Sequence, residues 1–252
     1  MAEIKILVGF FLYRFILPLF NPLTWRTSFL QYYGQTSAYF RYKARPPIST
    51  QFCTKIEYSL PFQGTWLVSN GGTNKENSHS WGIYAQRFAY DFIKEEDIKN
   101  INPFKKNKLD DCTTFNQLIL APADGKVVDI KDGLEDFPEP GSYKIDWKTK
   151  DIRGNYIILQ HGPNEFSLLA HLSKKSILVK PGDHVARYQV IAKCGNSGNS
   201  TTAHLHFQIQ DRINCFSSVS LPIKFRNIVI ENSDKPSEFI EKDNLVKNVN
   251  QS

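Results

Sequence analysis

The chain has 252 residues, with 41% hydrophobic, 22% charged and 13% aromatic residues, the balance of an ordinary soluble globular protein able to bury a substantial core. A net charge of +6 favours anionic surroundings, but the basic residues are dispersed and form no recognised nucleic-acid module, so no nucleic-acid partner is expected. The four cysteines, Cys53, Cys112, Cys194 and Cys215, exclude a CxxC pair and any short zinc-finger spacing. They are read as buried thiols, with two disulfides the alternative in an exported chain.

In chain order, the first 20 residues hold two apolar runs split by Arg14, with Pro18 and Pro22 expected to stop further helix. The stretch is short for a bilayer span, and an arginine near its centre costs roughly 2.5–3.5 kcal/mol on insertion scales. No cleavage site follows it. A short anchor, an interfacial helix and a helix packed on the domain are all compatible with it. A membrane association through residues 4–20 is expected, because Trp25, Arg26, Tyr32, Tyr33, Tyr39 and Arg41 suit an interfacial belt. Residues 1–50 thus form a hydrophobic and then aromatic-basic helical segment, 51–231 the main domain and 232–252 a polar, frayed tail.

Within 51–231, short apolar runs rich in β-branched and aromatic residues recur at 87–93, 118–121, 126–130, 155–160, 167–172, 185–194 and 204–210, separated by glycine, proline, asparagine and aspartate. These predict an all-β domain, an antiparallel sandwich or half-open barrel. The charged stretches 94–117 and 131–152 are expected as surface loops beside the site.

Six histidines narrow the search for chemistry. His204 and His206 flank Leu205, and on a strand residues i and i+2 share a face. His204, His206 and Gln208 therefore look one way, and Leu205, Phe207 and Ile209 the other. Two adjacent imidazoles make poor core packing, since each needs a polar partner. The preceding loop, 194–201, is glycine-rich and polar, able to bring backbone close to a ligand.

The run GNSGNSTTAHLHF resembles the signature G-x-[ST]-G-x-[ST]-T-x-x-H-L-H-[FY] of lysostaphin/LytM-type peptidoglycan endopeptidases. Leu169-Ala170-His171-Leu172 is similar to the family's Y-x-H-L segment. The stretches 121–128 and 180–191 are similar to its A-x-x-x-G-x-V and G-x-x-V-x-x-x-Q-x-I pieces. The resemblance, which runs from about residue 79 to 210, implies a zinc metalloendopeptidase that acts through metal-activated water on peptidoglycan or a peptide. It implies His206 as a Zn2+ ligand, His204 and His171 as catalytic imidazoles, a location in the cell envelope or outside the cell, and a monomer is expected.

The chain departs from the pattern where the family places H-x-x-x-D. Asp91 is present, but Arg87 stands four residues before it, and a guanidinium stays protonated and cannot ligate a metal. His79 is the replacement we expect, brought over the site by a turn at 70–74, with Asp91 and His206 completing the metal set. Arg87 is expected to point at the site, binding a substrate carboxylate or orienting Asp91, with an ordinary ion pair the alternative. His161 is read as structural and His184 as a surface residue. The competing reading is a catalytically inactive LytM-like domain that binds a partner or cell-wall glycan. A carrier or phosphotransfer domain is set aside, because the only methionine is Met1, leaving no Met-Lys acceptor, and the histidines fall in the endopeptidase pattern rather than standing alone.

Overall fold

The computed structural model describes residues 22–43, 45, 47–49, 52, 54–101, 107–141, 149, 151–231 and 239–249. The run 4–20 and Cys53 lie outside the described residues. The first element is helix α1 (Pro22–Arg41). Proline was expected to stop a helix here. Pro22 instead opens one, at the first helical position, where its missing N–H is no loss. No helix among the described residues is long and apolar enough to cross a membrane.

Twelve strands follow: β1 (Trp66–Asn70), β2 (Tyr90–Ile93), β3 (Leu118–Leu120), β4 (Gly125–Lys131), β5 (Asn155–Gly162), β6 (Glu165–Leu172), β7 (His184–Val185), β8 (Val190–Lys193), β9 (Leu205–Gln210), β10 (Ser220–Leu221), β11 (Ile228–Ile230) and β12 (Leu245–Asn248). A short helix, α2 (Glu95–Asn100), lies in the first charged insertion. Ten strands form one antiparallel sheet in the order β11-β12-β1-β2-β9-β6-β5-β4-β7, with β10 also on β9; β3 and β8 pair separately. The expectation of an all-β antiparallel domain holds.

The two faces of the large sheet differ. Leu205, Phe207 and Ile209, with Phe92, Leu169 and Ile157, point into the main core, where Ile119, Ala121 and Ile191 from the β3–β8 side close over them. On the opposite face Ile158, Phe166, Leu168 and Ala170 make a smaller apolar patch with Cys215. The alternation that predicted one polar and one apolar face for β9 is what separates core from groove. Cys112, Cys194 and Cys215 are buried free thiols, as the blander cysteine reading expected.

The tail from residue 232 was expected to fray, and its last described part does not. Val246 pairs with Trp66 of β1 and is fully buried. Asn248 accepts from the Leu60 N–H at 3.0 Å and donates to the Leu60 and Phe62 carbonyls, each at 3.0 Å. One side chain thus completes the backbone bonding of a buried segment, a tie that local composition does not reveal. Asn248→Ala orphans these groups, and each buried group left unpaired costs about 1–3 kcal/mol. Denaturant unfolding should show a loss of about 2 kcal/mol or more; a midpoint and slope equal to the parent's would contradict this role.

Candidate metal and catalytic site

Strand register assembles the site. Asp91 on β2 lies directly opposite His206 on β9, and His206 lies opposite Ala170 on β6. His171 follows Ala170, and His204 precedes β9 by one residue. These three adjacent strands place Asp91, His171, His204 and His206 around one cavity of about 300 Å³, which His79 also lines. The sequence-derived site residues therefore meet in one place.

His206 Nδ1 lies 2.9 Å from Asp91 Oδ1, and its Nε2 lies 3.1 Å from Gln208 Oε1. The far side of that contact fixes the proton. Gln210 Nε2 donates to the carbonyls of Arg212 and Ile213, which can only accept, so its Oε1 takes the Gln208 amide N–H at 2.7 Å. Gln208 Oε1 is then left to accept from His206 Nε2–H. The relay pins the ring and directs Nδ1 at Asp91, the arrangement by which an outer hydrogen bond orients a metal-binding imidazole. Burial would lower the His206 pKa, but the hydrogen bond and charge of Asp91 outweigh it and raise it. Burial would likewise raise Asp91, yet the hydrogen bond from His206 and the nearby imidazoles hold it well below the usual carboxylate range.

His171 and His204 are held differently. His171 Nδ1 lies 2.8 Å from the Ser197 carbonyl, and His204 Nδ1 lies 2.8 Å from the Thr202 carbonyl. A carbonyl only accepts, so both Nδ1 atoms carry the proton and both Nε2 atoms keep a free lone pair. Burial lowers both pKa values, with neighbouring imidazoles adding to the effect on His171 and Asp91 partly offsetting it on His204. The two rings lie 4.7 Å apart, and His204 Nε2 is 3.8 Å from Asp91 Oδ1. His171 also has φ of 60°, a left-handed conformation that costs a non-glycine residue about 1 kcal/mol or more and clusters at functional sites. Its N–H to the Arg153 carbonyl and its C=O from the Gly195 N–H, both at 2.9 Å, hold it there.

His79 reaches the site by the turn that the sequence suggested. Gly71 and Gly72 adopt φ of 126° and 155°, and a Cβ on Gly71 would fall 2.4 Å from the Tyr90 ring, so only glycine turns the chain here. Asn70, which sequence reasoning used only as part of the turn, is a bridge. Its Oδ1 accepts the His79 N–H at 2.9 Å, while its Nδ2 donates to Asp91 Oδ2 at 3.2 Å. His79 Nδ1 lies 3.8 Å from Asp91 Oδ2, on a side chain 65% exposed.

Arg87 does not point at the site, contrary to expectation. Strand β2 begins only at Tyr90, so the shared-face argument from position 91 back to 87 does not apply. Its Nε donates to the Trp81 carbonyl at 3.0 Å, and its guanidinium lies over the rings of Trp81 and Tyr84. The arginine that lines the cavity is Arg153, paired with Asp151 and stacked 3.8 Å from the Tyr156 ring centre. His161 is structural, bonded to the Asp124 carbonyl and Ser167, and burial lowers its pKa to about 4. His184 is exposed.

A carboxylate and imidazoles without thiolate are a donor set that zinc accepts. Asp91 Oδ1 and His206 Nδ1, 2.9 Å apart, are near the roughly 3.3 Å separating two atoms each about 2.0–2.1 Å from one tetrahedral ion. Among the described residues no group of three or more His, Cys, Asp or Glu is set to hold a metal ion. His79, its Nδ1 3.8 Å from Asp91 Oδ2 on a side chain 65% exposed, is not packed in place. The donor types, and the approach of Asp91 to His206, are ones that zinc accepts.

Comparison with known proteins adds to this geometry. The profile of Peptidase family M23 matches residues 111–217, taking in His171, His204 and His206 but neither Asp91 nor His79. The chain is 46% identical over 90 residues to the peptidoglycan DD-endopeptidase ShyA of Vibrio cholerae, a stretch covering 36% of this chain and 20% of that relative. It is 30% identical over 133 residues to ShyB of the same organism, covering 49% and 27%. The chain thus spans under a third of the length of these curated relatives. Among solved structures, a zinc-containing peptidase from Vibrio cholerae is similar at 19% identity and a TM-score of 0.37, over 66% of this chain and 41% of that one. The catalytic domain of lysostaphin from Staphylococcus simulans is similar at 18% identity and a TM-score of 0.34, over 68% and 90%.

Proposed function

We propose that this chain, which carries a peptidase family M23 domain over residues 111–217, is a zinc metalloendopeptidase cleaving peptide bonds in peptidoglycan cross-links or stem peptides. The observation that carries this reading is the convergence of His79, Asp91, His171, His204 and His206 on one cavity. The substrate class is supported by the names of the relatives ShyA and ShyB, both peptidoglycan DD-endopeptidases. Such a substrate puts the protein in the cell envelope or outside the cell.

In this reading His79, Asp91 and His206 hold the metal, with Nδ1 of His206 as its donor atom. Bound zinc supplies Lewis acidity, polarising the scissile carbonyl and acidifying water. The remaining chemistry belongs to the two imidazoles whose Nε2 lone pairs are free. The attacking water gives up one proton, which His204, nearer Asp91, accepts, with His171 beside it as the alternate carrier. The one imidazolium so formed hydrogen-bonds the developing oxyanion and then passes that proton to the leaving amine. The hydrogen bonds to the Thr202 and Ser197 carbonyls hold each ring in the tautomer this needs.

The exposed position of His79 and the absence of a preformed three-ligand group among the described residues favour the second reading, a domain that binds the wall or a partner without cutting it. Digestion of purified peptidoglycan by zinc-loaded protein, with mass analysis of the fragments, separates the two. New amine and carboxyl termini in cross-link or stem peptides are expected, and their absence would sink the hydrolase reading. His79→Ala should weaken zinc binding at least tenfold, above the floor set by outer-sphere losses of about 10–100-fold, and lower turnover with it. Full metal content and activity in that variant would remove His79 from the ligand set.

A further inference from the structure

One side of the cavity is closed by α1, which lies wholly outside the segment that matches the family. The face it turns inward carries Gln31, Gly34, Gln35 and Ala38, spaced at i, i+3, i+4 and i+7 as one helical stripe. Gln31 and Gln35 line the cavity, while Gly34 and Ala38 are buried. The small residues set the distance. A Cβ on Gly34 would fall 1.7 Å from the Phe216 carbonyl oxygen, so the helix backbone rests directly on the turn after β9. Arg41 locks its C-terminal end, donating to Asp211 Oδ2 at 2.9 Å and to the Ser217 carbonyl at 3.0 Å.

Placed this way, Gln35 reaches the turn that follows His79 and uses both ends of its amide. Nε2 donates to the Gly82 carbonyl at 2.8 Å, and Oε1 accepts the Tyr84 N–H at 3.0 Å. These contacts fall three and five residues after His79. The segment from 78 to 89 contains no helix or strand and is kept in shape by short turns: Trp81 N–H to Ser78, Ile83 N–H to Ser80 and Gln86 N–H to Ile83. Further along, Arg87 ties back to Trp81, and the buried Ser220 bonds the Tyr84 carbonyl. On the cavity side Asn70 accepts the His79 N–H at the start of the turn, and Gln35 holds its far end at Gly82 and Tyr84. A single glutamine spanning a C=O and an N–H two residues apart fixes both the height and the rotation of a turn, as a neighbouring strand does in a sheet.

We propose that Gln35 is a positioning residue for the metal centre: through it, α1 holds the 79–84 turn where His79 can join Asp91 and His206. This rests on the reading of His79 as a ligand. The catalytic unit of this chain then begins at α1 and includes residues that no family match covers. It also explains how a ligand can sit on a loop with a 65% exposed side chain: what is held in place is the turn, not the ring.

The test uses the full chain and reads zinc affinity by competition with a chelator, thermal unfolding of the zinc-free protein, and hydrogen exchange at the Tyr84 amide. Gln35→Ala should weaken zinc about 10–100-fold, the range for outer-sphere partners, with faster exchange at Tyr84 and an unfolding temperature close to the parent's. Gln35→Glu keeps the acceptor for Tyr84 but loses the donor to Gly82 and should fall between the two; it also carries the test should Gln35→Ala fail to fold. Thr36→Ala, on the outer face of α1, should match the parent. A folded Gln35 variant with faster exchange at Tyr84 and parental zinc affinity would overturn the proposal. Parental zinc affinity in His79→Ala would instead overturn the ligand reading beneath it, so the two failures are distinct.

Discussion

His206→Ala should lose stoichiometric zinc and peptide hydrolysis together. His206 is the best-fixed imidazole in the cavity, held by Asp91 on one nitrogen and by the Gln208–Gln210 relay on the other. As the proposed ligand, it takes a donor atom with it when removed rather than a donor's support, so zinc affinity should fall by more than the 10–100-fold typical of an outer-sphere change. Lewis-acid stabilisation is worth several kcal/mol, so kcat/KM should drop about a thousandfold or more at tenfold per 1.4 kcal/mol. The alanine variant also takes from the buried Asp91 carboxylate its shortest hydrogen bond, leaving Asn70 as its side-chain donor, and breaking a buried pair costs about 3–5 kcal/mol. His206→Gln, which can still donate to Asp91, is the companion that separates loss of metal from loss of fold. Stoichiometric zinc in a folded His206→Gln would contradict the assignment.

His204→Ala should give the opposite split, with zinc retained and turnover lost. Its Nδ1 is committed to the Thr202 carbonyl and its Nε2 stands 3.8 Å from Asp91, so in the proposed mechanism it borders the metal ligands and supplies the base. A positioned general acid–base group contributes about 10²–10⁴-fold, and kcat should fall within that range while chelator competition shows parental zinc affinity. In the proposed mechanism His171, its ring 4.7 Å away, acts on the same proton. The His171→Ala/His204→Ala double variant should therefore lose little more than the worse single one, since groups acting as a unit are not additive. Loss of zinc in His204→Ala would move this residue into the ligand set.

Much of this site was legible because its parts obey strand periodicity. Period two placed His204, His206 and Gln208 on one face, and the sheet register then set Asp91 opposite His206. What could not be read was whatever depended on where a strand starts or on distant chain. Arg87 was expected to share a face with Asp91, but the strand begins at Tyr90 and the guanidinium turns to Trp81 and Tyr84. Pro22 was taken as a helix breaker, though a proline is equally suited to the first helical turn. Residues 245–248 carry a pattern too short and polar to signal a strand, and only their pairing with β1 makes them one. Gln35 had no local signal at all, since its partners lie 47 and 49 residues away.

The central claim is that His79, Asp91 and His206 hold one zinc ion. Zinc X-ray absorption of the purified full chain, at one metal per chain, reports the ligands directly. The account predicts two imidazole nitrogens, a carboxylate oxygen and no sulfur, falling to a single imidazole in His79→Ala. Failure to bind zinc at a defined stoichiometry, or a shell containing cysteine sulfur, would contradict it.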